Sequence, residues 1–315
     1  MPKIRGFDNI GTFDFMLFKR LTVDVFGFTG GGFPVTTPNN PVRIGSCQCG
    51  KGCDLLLVAG PCVLEETTSL TIARRLRQIV DELNHDGFPV QLVFKGSFDK
   101  ANRTSVDSWR GLGLEAGVKL LAEIRDAIST PVTTDIHEPW QAAPVGKVVD
   151  LIQIPAFLAR QTDLLVAAAK TGRPVHVKKG QFMAPQDMRH VVNKLCASGN
   201  PNVILGERGT FFGYGALVND FRSLVVMRAT GAPVLFDATH SVQEPSAAGG
   251  KSGGRREFVA PLARAAAAVG IDALFLETHF DPEQSPCDGP NMLPLDALPS
   301  LLRDVITIRR VVARQ

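Results

Sequence analysis

The segment V-H-V-K-K-G-Q-F-M-A-P-Q-D-M-R-H-V-V-N-K-L-C-A, residues 175–197, carries the pattern on which the fold turns. Residues 175–178 read as a short strand that ends in lysine. A loop containing Gly and Pro follows, and residues 185–197 then place apolar side chains at helical spacing. Strand, loop and amphipathic helix make one βα unit, and the unit recurs in both directions along the chain.

Strand candidates fall at 55–59, 91–95, 132–134, 151–154, 175–178, 203–206, 234–237 and 273–277. Helical patterns follow them at 69–83, 114–128, 138–145, 161–169, 185–197, 217–230, 256–269 and 295–312. Eight such units over the 262 residues from 54 to 315 predict an α/β fold of one (β/α)8 TIM barrel, which typically takes about 250 residues. A doubly wound open sheet is the competitor, but its dinucleotide fingerprint is absent. The nearest string, G-L-G-L-E-A-G at 111–117, has the wrong spacing and follows a loop. G-K-S at 250–252 has Pro245 where a phosphate-binding loop needs its first glycine.

Residues 1–52 read as an N-terminal extension, a hairpin or a partly disordered arm, ahead of a catalytic barrel at 53–315. Seven of the 19 Phe lie between Phe7 and Phe33, and residues 30–41 are a run of turn-formers. Asp8, Asp14, Lys19, Arg20 and Asp24 interrupt every apolar run that a signal peptide would need. No apolar stretch of about 20 residues is present, so a membrane span is not expected.

Hydrophobic residues at 44% and charged residues at 21% exclude a disordered, collagen-like or coiled-coil chain of 315 residues. The net charge of +3 gives no bulk attraction to nucleic acid or to an anionic membrane, and neither is expected as a partner. Six cysteines are too few for a disulfide framework in a chain this long, which points to the cytoplasm. Cys47, Cys49 and Cys53 form C-x-C-x3-C, but no fourth ligand nearby completes a structural zinc site.

In a barrel, reactive groups belong at the C-terminal ends of the strands, where the loops converge on one mouth. Polar or ionisable groups stand at all eight ends here: Cys62, Lys95, Asp135 with His137, Gln153, Lys178 with Lys179, Glu207 with Arg208, Asp237 with His240, and Glu277 with His279. Lys95, Lys100, Arg103, Lys178 and Arg208 form a cationic group that calls for a polyanionic, phosphorylated substrate. Cys62, His240, Glu277 and Asp288 form a second group. A thiolate, an imidazole and two carboxylates suit Fe, Zn, Mn or Co as a divalent ion. A lone buried Cys is more often a packing residue; the convergence of strand ends one, seven and eight is what favours a metal.

Nine ordered blocks then make a family resemblance specific. A-G-P-C-V-L-E (59–65), F-K-G-S-F-D-K-A-N-R-T-S (94–105), T-D-I-H-E-P (134–139), Q-I-P-A-F-L-A-R-Q-T-D (153–163) and V-K-K-G-Q-F (177–182) are five of them. G-E-R-G-T-F-F-G-Y (206–214), D-A-T-H-S-V-Q (237–243), S-G-G-R-R (252–256) and C-D-G-P (287–290) complete the set. The chain from about residue 55 to its end resembles the 3-deoxy-D-manno-octulosonate 8-phosphate synthases.

That resemblance implies a transferase in which carbon 3 of phosphoenolpyruvate attacks the aldehyde of arabinose 5-phosphate. Water adds at carbon 2, and inorganic phosphate leaves with C–O cleavage, a step toward lipopolysaccharide. It implies that Asn102, Arg103 and Thr104 hold the sugar phosphate, with Lys100 between the substrates. Lys178 and Arg208, with Lys95 and Ser97, would bind phosphoenolpyruvate, and Asp135, Gln153, Phe157 and Gln243 would line the site. Lys100, His240 and Lys178 are the catalytic candidates. Cys62, His240, Glu277 and Asp288 match the ligands of the metal-dependent class, since the metal-independent class has Asn where Cys62 stands. A homotetramer is also implied.

Three other readings compete. The related synthase that uses erythrose 4-phosphate carries K-P-R-T where this chain has K-A-N-R-T at 100–104, which favours the five-carbon aldose. A Schiff-base aldolase on Lys178 is disfavoured by a phosphate-rich rather than apolar context for that lysine. A catalytically silent sugar-phosphate-binding barrel would be expected to have lost ligands, and all four are present.

Overall fold

A computed structural model describes residues 37–102, 106–212, 215–245 and 253–312. The whole Phe-rich stretch at 7–33, Arg103 and Thr104, and the loop segment 246–252 lie outside the described residues.

Eight strands form the barrel: β1 (Leu55–Gly60), β2 (Val90–Lys95), β3 (Val132–Asp135), β4 (Leu151–Ile154), β5 (Val175–Lys178), β6 (Val203–Glu207), β7 (Val234–Asp237) and β8 (Ala273–His279). Each pairs parallel with the next, and β8 pairs with both β7 and β1, which closes the ring. Alternation along β1 shows how the sequence builds two cores. Leu55, Leu57 and Ala59 face the surrounding helices, while Leu56 and Val58 face the barrel interior with Leu151, Ile204, Leu235 and Phe275.

The helices cover the outer face of the ring: α1 (Ser69–His85), α2 (Leu114–Ile128), α3 (Ala142–Gly146), α4 (Thr162–Lys170), α5 (Met188–Ala197), α6 (Arg222–Arg228), α7 (Val259–Val269) and α8 (Leu298–Val312). In α1, Ile72, Leu76, Ile79 and Leu83 recur at three- and four-residue spacing and are buried. Two units depart from the predicted pattern. The helix expected at 217–230 is confined to α6, because Leu217–Val218 pairs antiparallel with Thr210–Phe211 and Asp220 accepts the Arg222 N–H at 3.0 Å to start the helix. The one expected at 138–145 is a 3-10 turn, Pro139–Gln141, followed by the five-residue α3.

At the opposite end from the mouth, Val42–Ile44 and Cys47–Cys49 form an antiparallel hairpin. Val42, Ile44, Cys47 and Cys49 are buried in the same cluster as Leu56, Val93, Leu151, Ile204 and Ala273. Gln91 fastens the hairpin, accepting from Gln48 N at 2.8 Å and donating to Gln48 O at 2.9 Å. Composition alone sets this hairpin apart from the main domain, whereas its apolar face fills the barrel floor. Cys47, Cys49 and Cys53 are free thiols, and burial raises the pKa of each.

Candidate active site

The strand ends open into a cavity of about 410 Å³. Lys95, Ser97, Lys100, Asn102, Asp135, Gln153, Phe157, Lys178, Arg208, His240, Gln243, Glu277 and Asp288 all line it. These are the predicted site residues apart from Cys62, buried beside Asp288, and Arg103 and Thr104, which lie outside the described residues.

Cys62 follows β1, Glu277 lies on β8, Asp288 is in the loop beyond it, and His240 opens the turn after β7. One ligand atom each from Cys62, Glu277 and Asp288 lie within 4.8 Å of one another. Cys62 Sγ is 3.4 Å from Asp288 Oδ2, and His240 Nε2 is 3.7 Å from Glu277 Oε1 and 3.8 Å from Asp288 Oδ2. Behind the imidazole, Asp237 Oδ2 lies 2.8 Å from Nδ1 while Oδ1 accepts the His240 backbone N–H at 2.9 Å. A carboxylate accepts there, so Nδ1 carries the proton and Nε2 presents a lone pair to the cluster.

Glu277 is fully buried and its Oε2 has no hydrogen-bond partner among the described residues. An orphaned carboxylate oxygen beside a thiol, an imidazole nitrogen and a second carboxylate fits a borderline divalent ion. The other oxygen, Oε1, accepts from Lys95 Nζ at 2.7 Å, and Lys95 also donates to the Cys62 carbonyl at 2.8 Å. A Cβ at Gly60 would overlap the Lys95 carbonyl oxygen, so glycine is what lets β1 and β2 approach here. Burial opposes ionisation of Glu277, but the ammonium of Lys95, foremost among the nearby charges, holds its pKa below the usual carboxylate range.

The cations divide into two kinds. Lys95 is matched by Glu277, and Lys178 Nζ donates to Asp237 Oδ2 at 2.6 Å. Arg208 is 4% exposed; Nη2 donates to Gln243 Oε1 at 2.7 Å, whereas Nη1 is buried with no partner among the described residues. Lys100 Nζ donates to Ser97 Oγ at 3.2 Å, and Ser97 donates to Asp135 Oδ1 at 2.5 Å. The demand for an external anion therefore falls on Arg208 and the Lys100 region, not equally on every lysine of the mouth.

The surroundings of Lys178 are more apolar than its sequence context implies. Lys178 does sit in surroundings that lower a lysine pKa: burial acts first, and the ammonium lies 3.7 Å over the Phe275 ring centroid. What opposes a neutral, nucleophilic amine is Asp237, not a lack of apolar contact.

His137 and Glu207 stand among the strand-end groups of the sequence without an assigned role, and Asp99 is not singled out there. His137 lines the cavity and its Nε2 lies 3.0 Å from Asp135 Oδ2. Glu207 Oε1 accepts from the backbone N–H groups of Arg208 at 2.9 Å and Gly209 at 2.7 Å, and it pairs with the buried Lys179 at 3.4 Å. Asp99 grips Arg110 with both oxygens, at 2.8 and 2.5 Å, and so steadies the loop that carries Lys100. The position of His137, Glu207 and Asp237 at strand ends was the available signal.

A model of the DAHP synthetase I family matches residues 33–311. The chain is 58% identical over 265 residues to a protein of a Synechococcus species, covering 84% of this chain and 92% of that one. It is 54% identical over 272 residues to a Geobacter metallireducens protein, covering 86% and 98%. It is 52% identical over 278 residues to a Brucella anthropi protein, covering 88% and 99%. Each of the three is named 2-dehydro-3-deoxyphosphooctonate aldolase.

Proposed function

The chain belongs to the DAHP synthetase I family, and we propose that it condenses phosphoenolpyruvate with arabinose 5-phosphate and water, giving 3-deoxy-D-manno-octulosonate 8-phosphate and inorganic phosphate. The relatives' name specifies an eight-carbon acid, the sum of a three-carbon enol and a five-carbon aldose; a four-carbon aldose would give seven. The observation that carries the reading is Arg208 Nη1, buried and without a partner among the described residues, in the cavity that His240, Glu277 and Asp288 also line beside Cys62.

In this account Arg208 and Lys178, with Lys95 and Ser97, hold the phosphate and carboxylate of phosphoenolpyruvate. Asn102, with Arg103 and Thr104, holds the phosphate of the sugar, and Asp135, Gln153, Phe157 and Gln243 bound the space between. Lys100 stands where the two substrates meet. Burial alone would lower its pKa, but the acidic groups around it, Cys62 and Cys287 foremost, hold it well above the usual value. A lysine that stays protonated can neutralise the oxygen that becomes an alkoxide as carbon 3 attacks the aldehyde. The fixed charges matter most at carbon 2, where positive character develops between a carboxylate and a phosphate. His240, held by Asp237 at Nδ1, keeps only Nε2 free and offers it to the ligand group of Glu277 and Asp288.

Cys62, His240, Glu277 and Asp288 would hold a divalent Fe, Zn, Mn or Co ion, which supplies Lewis-acid polarisation and orientation of the aldehyde. The exposed rings of Phe157, Phe182, Phe211 and Phe212 around the mouth support self-association, and we propose a homotetramer. Six free cysteines support a cytoplasmic location, in keeping with a precursor role in lipopolysaccharide synthesis. No helix among the described residues is long and apolar enough to cross a membrane. Mass analysis of the product from phosphoenolpyruvate and arabinose 5-phosphate tests the reading: an eight-carbon phosphorylated keto acid supports it, and no condensation product refutes it.

A further inference from the structure

Gln243 stands between the two halves of this pocket. It lies on the two-residue strand Gln243–Glu244, which pairs with Gly253–Gly254. Its Oε1 accepts from Arg208 Nη2 at 2.7 Å, and its Nε2 donates to Asp288 Oδ1 at 3.1 Å. That amide has one orientation, because a guanidinium only donates and a carboxylate only accepts. The far oxygen of Asp288, Oδ2, faces Cys62 Sγ at 3.4 Å and His240 Nε2 at 3.8 Å. At the other end of this pair of bonds, Arg208 Nη1 is buried and has no partner among the described residues. Two hydrogen bonds therefore connect an open anion donor to a carboxylate of the candidate metal centre.

We propose that Gln243 is a positioning residue that couples anion binding at Arg208 to divalent-metal binding at Cys62, His240, Glu277 and Asp288. The inference rests on the anion and metal assignments above and adds the physical link between them. An anion on Nη1 restrains the guanidinium and so keeps Nη2 on the Gln243 amide. The amide in turn holds Asp288 Oδ1, which leaves Oδ2 aimed at the ligand group. Without the amide, Asp288 keeps its charge but loses its orientation. Direct attraction between cation and anion needs only their charges and survives in any variant; the share carried by Gln243 does not. The coupling is reciprocal, so a bound metal tightens anion binding by the same factor.

The test titrates metal-stripped protein with Co(II), read by the thiolate-to-cobalt absorption of Cys62, with and without saturating phosphoenolpyruvate. Wild type is compared with Gln243→Leu and with Gln243→Met, which keeps the side-chain length; near-UV circular dichroism selects the variant that retains native packing. Phosphoenolpyruvate is expected to tighten Co(II) binding about tenfold in the wild type, within the usual range of site-to-site coupling, and about threefold or less in the variant. An equal factor in both proteins overturns the role of Gln243 while leaving both binding sites standing. Absence of the cobalt–thiolate band in the wild type overturns the metal assignment, and this inference with it.

Discussion

Asp237 fixes the imidazole of His240 from behind, Oδ2 to Nδ1 at 2.8 Å, and so turns Nε2 toward Glu277 and Asp288. The same carboxylate takes the ammonium of Lys178 at 2.6 Å. One buried acid thus orients a candidate metal ligand and a candidate substrate-binding cation. Burial opposes its charge, yet His240 and Lys178 keep its pKa far below the ordinary carboxylate range.

Asp237→Asn should therefore weaken binding of Co(II) or Zn(II) by about 10–100-fold, as loss of the partner behind a metal-bound histidine typically does. Competition against a chromophoric chelator measures it. Unchanged metal affinity would mean that His240 is not a ligand or needs no orientation.

Arg208→Ala should weaken phosphoenolpyruvate binding by about 2–4 kcal/mol, because a partly desolvated anion loses a charge-assisted donor. Calorimetric titration without the aldose gives the number. A loss much below that range would place the anion elsewhere in the mouth.

Lys178 should resist trapping. Borohydride added during turnover is expected to leave no substrate mass on the protein, since Asp237 holds the side chain as an ammonium ion. A stable adduct on Lys178 would reinstate the Schiff-base mechanism.

His176, inside the barrel on β5, has neither ring nitrogen hydrogen-bonded among the described residues, and burial followed by the Lys178 charge lowers its pKa to about 3. In the unfolded chain the same group takes a proton near pH 6.5. The unfolded state therefore binds more protons as pH falls from about 6.5 toward 3, and stability falls with it, by up to about 1.4 kcal/mol per pH unit from this residue. Carboxylates with lowered pKa values, such as Asp135, add a loss of the same sign only below about pH 4. Between pH 6.5 and 4.5, denaturant titrations of His176→Gln should show a flatter decline than wild type; equal slopes would contradict the assignment.

The floor hairpin gives a structural prediction. Ile44→Ala removes a fully buried side chain from the barrel interior and should cost about 2–5 kcal/mol in denaturant unfolding. A cost near zero would mean that the hairpin stands apart from the barrel core.

Much of this was legible in the sequence, for identifiable reasons. Alternation in β1 and helical spacing in α1 are local patterns, so the eight units could be counted before the ring was seen. Cys62 and Asp288 are 226 positions apart, and only the rule that strand ends share a mouth brought them together. What stayed hidden depends on partners. Pairing of Lys95 with Glu277 removes part of the excess positive charge that the sequence implied, and no spacing rule reveals that pairing. The Ile44 hairpin looked like part of an appendage because its turn-rich neighbours dominate the local composition, while its apolar contacts come from strands far along the chain.

Inorganic phosphate release from phosphoenolpyruvate, followed with Mn(II)- or Co(II)-loaded protein, should be rapid with arabinose 5-phosphate and negligible with erythrose 4-phosphate; the reverse preference, or no release with either sugar, would contradict the account.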